Sequence, residues 1–202
     1  MKVFIASTNA HKIGEYKDMF AACNLHCDVR GADAVAGFNA PDENGDSFRA
    51  NALIKAEALA EKLRGEYVMA DDSGIVVDAL GGAPGIYSAR YAGCHGPDAD
   101  LRNNEKLLNE LKGVPDEKRT ARFVCCIALV APDGSKHCFE GTIEGRINHG
   151  AAGCGGFGYD PLFYVPELGK TTAEISPEHK NAISHRGRAF AKLAEFLKNK
   201  NG

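Results

Sequence analysis

The sequence predicts an α/β protein with a mixed, twisted β-sheet flanked by helices. Three observations predict it. Short apolar runs that suit buried strands alternate with segments whose apolar residues recur every three or four positions. A hairpin signal, Pro132-Asp133-Gly134, interrupts that alternation, so the sheet is not purely parallel. The 202 residues suit one domain, either simple or with two lobes around a central cleft.

The elements follow in order. Lys2 to Ser7 reads as a short buried strand. Asn9 to Ala22 has helical spacing at Ile13, Tyr16 and Phe20. A strand is expected near Leu25 to Val29, then a loop, then an acidic turn at Asp42 to Gly45. Ser47 to Arg64 is the clearest helix: Phe48, Ala52, Ala56, Leu59 and Leu63 form one stripe, Asp46 or Ser47 caps its start, and Gly65 stops it. Tyr67 to Ala70 is a short strand that runs into Asp71 and Asp72, and Ile75 to Leu80 continues extended. A turn-rich loop, Gly81 to Gly85, precedes a helix at Asp98 to Lys112, with Leu101, Leu108 and Leu111 on its apolar face. Thr120 to Val130 and Lys136 to Ile147 are the strands of the hairpin. After the glycine-rich stretch Gly150 to Gly158 come a short strand at Leu162 to Val165 and a short helix opened by Ser176-Pro177. Phe190, Leu193 and Leu197 mark the last helix. No repeat, linker or low-complexity segment divides the chain, so residues 1–202 read as one domain.

Composition narrows the function. Apolar residues make up 44% and charged residues 25%, which excludes a disordered chain or a coiled coil. A formal net charge of −3 gives no basic field, so nucleic acid is not an expected partner. No apolar run approaches the roughly 20 residues of a membrane span, and Val3 to Ala6 is too short for a signal peptide. A cytoplasmic protein with no membrane partner is expected. Seven cysteines, an odd number without a disulfide framework, agree with that address. Cys125 and Cys126 lie in an apolar run and read as small buried hydrophobes. Cys23, His26 and Cys27 lack a second pair at zinc spacing, so no zinc site is expected.

Two motifs mislead. Gly153 to Gly158 matches G-x-G-x-x-G, but a dinucleotide fingerprint must open a helix, and here Tyr159-Asp160-Pro161 follows. Gly169-Lys170-Thr171 looks like the end of a P-loop, yet Tyr164 stands where its first glycine belongs.

Four other segments carry chemistry. Ser7-Thr8-Asn9-Ala10-His11-Lys12 lies where the first strand gives way to a helix, and its hydroxyls, amide and ammonium suit a polyphosphate. The same residues also suit a plain helix cap. Asp71-Asp72-Ser73-Gly74 ends a buried strand, where two carboxylates must be solvated, paired or metal-bound. Neighbours on an extended chain point to opposite sides, so one of the two should lead. Glu43 offers another oxygen ligand from a separate loop, as Mg²⁺ beside phosphates requires, although two exposed acidic turns would read alike. Phe157 to Asp160 combines flexible backbone, aromatic rings and a carboxylate, which suits either a purine or a tight turn packed on the core. Lys180, Ser184, His185 and Arg186 form a cationic cluster that could equally be exposed helix charges.

Together these segments have a known order. Ser7-Thr8-Asn9-x-x-Lys12, Ala70 to Gly74, Gly81-Gly82-Ala83-Pro84-Gly85-Ile86-Tyr87-Ser88-Ala89-Arg90, Gly156 to Pro161 and Ser184-His185-Arg186-Gly187 occur as in one family. From Val3 to the final helix the chain resembles the inosine triphosphate pyrophosphatase family, in its bacterial dITP/XTP branch. That resemblance implies hydrolysis of purine nucleoside triphosphates carrying hypoxanthine or xanthine to monophosphate and pyrophosphate. It also implies a requirement for Mg²⁺, a two-lobed fold with a cleft, and a homodimer. By motif match, Ser7, Thr8, Asn9, Ala10, His11 and Lys12 would hold phosphates. Glu43 and Asp72 match the metal ligands, with Asp71 a further candidate, and Asp72 also matches the proton acceptor. Ser73 matches a substrate contact. Phe157, Gly158, Tyr159, Asp160, Lys180, His185 and Arg186 match the nucleotide-binding set. Lys55 would add a phosphate contact, although its surroundings read equally as an amphipathic face. The first loop departs from the family's usual Thr-Gly-Asn by reading Ser7-Thr8-Asn9.

Two rivals remain. A pyrophosphatase for other modified nucleotides, such as pyrimidines, is disfavoured by Phe157 to Asp160 and His185-Arg186. A nucleotide sensor or RNA-binding module without turnover gains nothing from Glu43 and Asp72 unless a metal is present.

Overall fold

The structure, a computed structural model, describes residues 1–201. Seven strands form one sheet: β1 (Lys2–Ile5), β2 (Asp28–Gly31), β3 (Tyr67–Val77), β4 (Thr120–Val130), β5 (Lys136–Ile147), β6 (Phe163–Val165) and β7 (Lys170–Thr171). Their order is β2-β1-β3-β4-β5-β6-β7. β1 pairs in parallel with β2 and with β3, whereas β6 pairs antiparallel with β5 and β7. The expected mixed α/β sheet is therefore present. Its helices are α1 (Ala10–Ala22), α2 (Phe48–Ala60), α3 (Ala99–Glu110), α4 (Pro177–Ile183) and α5 (His185–Asn201). Among the described residues no helix is long and apolar enough to cross a membrane.

The chain divides into two compact units. The first comprises Met1–Asp72, Cys125–Gly141 and the chain from Arg186 onward. Strand alternation gives it two apolar layers. Val3, Ile5, Met69, Cys125 and Ile127 pack with Tyr16 and Phe20 of α1 and with Phe190 and Leu193 of α5. Phe4, Val68, Ala70, Cys126 and Ala128 pack with Ala52, Ala56 and Leu59 of α2. Phe20 and Phe190 meet edge to face with ring centroids 4.8 Å apart. Cys125 and Cys126 are buried as expected, one in each layer. The second unit comprises Ser73–Val124 and Thr142–His185. Its core joins Ile75 and Val77 of β3 with Leu107 and Leu111 at α3, and with Phe123, Ile143, Tyr159 and Phe163.

Several boundaries differ from the sequence reading; α3 ends at Glu110 rather than Lys112, and Leu101, expected on its apolar face, is exposed. β2 starts at Asp28 rather than Leu25, because Asn24 turns left-handed at φ 55° and Leu25 N–H closes the end of α1 on Phe20 O. α2 stops at Ala60 rather than Arg64; Lys62 and Leu63 bond three residues back and tighten the chain into turns. β3 does not end at the aspartates but passes through them to Val77, and residues 78–80 form a 3₁₀ turn instead of extended chain.

Candidate active site

Strand β3 sets the geometry of the first unit's site. Its side chains alternate, so Asp71 and Asp72 go to opposite faces. Asp71 follows Met69 into the α1–α5 layer, and Asp72 follows Ala70 into the α2 layer.

Asp71 is buried, with two cations on one of its oxygens. Lys12 Nζ lies 3.0 Å and Arg186 Nη2 3.3 Å from its Oδ2. Arg186, 2% exposed, also donates to Glu15 Oε2 at 2.8 Å. Burial alone would raise the Asp71 pKa, but Lys12, Arg186 and Lys55 outweigh it and hold the carboxyl well below the ordinary value of 3.8. Asp71 is thus a committed counter-ion.

Asp72 meets a different environment. Lys55 Nζ sits 3.1 Å from Asp72 Oδ1 and 3.1 Å from Glu43 Oε1, bridging the two carboxylates. Asn51 Nδ2 donates to Asp72 Oδ2 at 3.2 Å. Burial raises the Asp72 pKa above its ordinary value; Lys55 opposes this and Glu43 reinforces it. The lysine keeps its own proton: burial works against the charge, and Asp72, Asp71 and Glu43 more than restore it.

The loop before α1 is shaped by its own side chains. Ser7 Oγ accepts from Asn9 N–H at 3.1 Å, and Asn9 Oδ1 caps the helix by accepting from Lys12 N–H at 3.2 Å. The capping reading is therefore realised, and it leaves Thr8, Asn9, Ala10 and His11 exposed at a helix N-terminus. Ser7 and Thr8 also line a cavity of about 300 Å³ with Asp33, Val35 and Phe38.

The second unit holds another constellation. Asp160, 3% exposed, accepts from Lys180 Nζ at 2.6 Å, from Phe157 N–H at 2.8 Å and from Thr172 Oγ1 at 2.8 Å. Lys180 Nζ lies 4.7 Å from the centre of the Phe157 ring. A side chain on Gly156 would collide with Asp160 Oδ2, so only glycine fits there. Tyr159 is core, its hydroxyl donating to Ser88 O at 2.8 Å. His185, 6% exposed, stacks on Phe123 at 4.8 Å and 14°. Ser73 is half-buried within β3. No helix follows Gly158, as rejection of the dinucleotide motif required.

Among the described residues no three His, Cys, Asp or Glu side chains converge as a ready-made metal site. The Lys55 ammonium between Glu43 and Asp72 nevertheless shows that this pair accommodates a cation. Two carboxylates are also what Mg²⁺ needs when phosphates and water complete its shell. The donor set fits that ion.

Residues 3–196 match the Ham1 family model. The chain belongs to the Ham1 family. A Desulforamulus reducens protein named dITP/XTP pyrophosphatase is 49% identical to it, over 98% of this chain and 96% of its own length. The solved Staphylococcus aureus Ham1 protein shares 44% identity at a TM-score of 0.85, covering 99% of this chain and 100% of that one. The solved Mycobacterium abscessus protein named nucleoside-triphosphatase / dITP/XTP pyrophosphatase shares 41% identity at a TM-score of 0.77, covering 98% and 100%. The resemblance read from the five motifs thus holds over nearly the whole chain.

In this Ham1-family chain sequence reasoning missed several partners of the site. Asn51 is fully buried and bridges Asp72 to the Glu43 loop, since its Oδ1 accepts from Gly45 N–H at 2.8 Å. A signal existed: Asn51 and Lys55 stand one turn apart beside the apolar stripe of α2, where polar residues demand partners. Glu15, which pairs with Arg186, and Thr172, Asp100 and Asn104, which touch the Phe157–Asp160 loop, carried no comparable signal.

Proposed function

We propose that this Ham1-family chain hydrolyses purine nucleoside triphosphates bearing hypoxanthine or xanthine, releasing the monophosphate and pyrophosphate. The observation that carries the reading is Asp72: buried, raised in pKa, bracketed by Lys55 and Asn51, and linked through Lys55 to Glu43. A carboxylate with a raised pKa takes a proton from water more readily than an ordinary one. Relatives that carry the pyrophosphatase name at about half identity over nearly full length support the same chemistry.

Each side chain has a role in this reading. Asp72 Oδ2, steadied by the Asn51 amide, orients a water toward the α-phosphorus and receives its proton. A new P–O bond forms there, the α–β anhydride bond breaks, and the electron pair leaves with pyrophosphate. Glu43 and Asp72 would hold Mg²⁺, which when bound neutralises the triphosphate. Lys12 and the exposed start of α1 present positive charge to phosphate oxygens. Lys55 fixes the spacing of Glu43 and Asp72 and adds a phosphate-directed charge. Phe157, with Lys180 over its ring, serves the purine as a stacking platform, and His185 and the loop amides serve its edge. The enzyme would act in the cytoplasm as a homodimer, with no nucleic-acid or membrane partner.

The test is pyrophosphate release from ITP, XTP, GTP, ATP and dUTP with Mg²⁺, with mass measured by light scattering. Rapid release from ITP and XTP alone is expected, from a particle of two chains. Orthophosphate and diphosphate as products, or full activity in excess chelator, would overturn the reading.

A further inference from the structure

Helix α3 grips one residue of the glycine-rich loop, Gly158, through both its N–H and its C=O. Asp100 and Asn104 stand four residues apart and so share a face of α3. Asp100 Oδ2 accepts from Gly158 N–H at 2.7 Å, and Asn104 Nδ2 donates to Gly158 O at 2.9 Å. Gly158 itself sits in the left-handed region at φ 62°. With Phe157 N–H on Asp160 and the Tyr159 hydroxyl on Ser88, the three consecutive residues 157–159 are each tied to a different partner.

The Asp100 half of the clamp is not needed to satisfy a buried carboxylate, whereas Asn104 is half-buried. Asp100 is exposed, and a methyl group built on Gly158 would meet no atom within 4 Å. Water could serve the Gly158 N–H as well as Asp100 does. What Asp100 adds is a fixed direction for the loop's peptide groups and for the Phe157 ring beside them. Such fixing matters most where hydrogen-bond edges must be told apart, because a misplacement of about 1 Å can cost a hundredfold.

We propose that Asp100 and Asn104 are positioning residues for purine discrimination, acting through the Gly158 peptide. This rests on the reading above, in which the Phe157–Asp160 loop meets the base. Hypoxanthine offers a 6-oxo acceptor beside an N1–H donor, and adenine offers the reverse. A loop held in one conformation can reject the wrong edge, and a loop free to turn its peptide can match either.

The experiment compares intact protein with Asp100→Ala, Asn104→Ala and Asp100→Asn. Affinities for ITP and ATP are measured by calorimetry in excess chelator, and kcat/KM for both nucleotides with Mg²⁺. In the alanine variants the ITP-to-ATP ratio should fall about tenfold or more in both measurements, with KM for ITP rising and its kcat little changed. Asp100→Asn keeps an acceptor oxygen and should restore most of the ratio. A merely structural role would lower the melting temperature and scale both nucleotides equally, so an unchanged ratio in the alanine variants overturns the clamp while the activity stands. Lost binding preference in the variants of a protein that hydrolyses nothing would support the clamp and overturn the activity. No preference for ITP in the intact protein would overturn both.

Discussion

Replacing Asn51 tests the scaffold around Asp72, the proposed catalytic carboxylate. Asn51→Ala removes a hydrogen bond to Asp72 and another to Gly45 N–H. A bond to an ionised group is worth about 1.5–3 kcal/mol and a neutral one about 0.5–1.5. Alanine returns up to about 0.7 kcal/mol through helix propensity. The net loss is about 2–4 kcal/mol, a fall of about 5–15 °C in Tm for a chain of this size. Asn51→Asp sharpens the test. It preserves shape and the acceptor for Gly45, but sets a second carboxyl where an amide donated to Asp72 Oδ2 at 3.2 Å. Two buried carboxylates so close cannot both ionise cheaply, so the pair holds a proton and its folded-state pKa rises further. A raised folded pKa means stability present at low pH and lost as pH rises through that value. The Asn51→Asp deficit relative to intact protein should therefore be small at pH 5 and large at pH 8, followed by circular dichroism on heating. Equal Tm values for Asn51→Asp and intact protein at pH 8 would refute the coupling.

Three further outcomes follow from the same geometry. Asp72→Asn should cost at least about a hundredfold in pyrophosphate release while the chain stays folded, since it removes the proposed proton acceptor; near-normal turnover would move that role off Asp72. Arg186→Ala should cost about 3–5 kcal/mol in urea unfolding, because it strips a buried partner from Asp71 and another from Glu15; a loss below about 1 kcal/mol would refute the buried pairing. The Asp71 contribution to stability should be fully present above the ordinary 3.8 and lost as pH falls toward its lowered pKa, so Asp71→Asn should blunt acid unfolding measured by tryptophan-free methods such as circular dichroism.

Much of this was legible in the sequence because local rules decided it. Asn9, Ser47 and Ser176 cap helices where the pattern placed them, and the hairpin strands have their expected bounds, 120–130 and 136–147. Boundaries failed where capping geometry or a buried charge took over, at Leu25, Arg64 and the aspartates of β3. The candidate residues were named by type and order, but not their partners. Arg186 read as part of the nucleotide-binding set or as an exposed helix charge, and it lies buried against Asp71 and Glu15. That pairing joins residues 171 and 115 positions apart, a separation that no periodicity reports.

The two aspartates of β3 show why pairing matters more than residue type. They are neighbours with the same side chain, and both are buried. Strand alternation alone sends them to different faces. One face supplies two close cations and pulls the pKa down; the other supplies one lysine, shared with Glu43, and the pKa stays raised. Low pKa makes Asp71 a poor base and a strong counter-ion for Lys12 and Arg186. Raised pKa makes Asp72 the better proton acceptor at the cost of some stability. A one-residue slip of β3 would swap the faces the two aspartates occupy, so its register with β1, Val3 opposite Tyr67 and Ile5 opposite Met69, also decides which aspartate can take the proposed catalytic role.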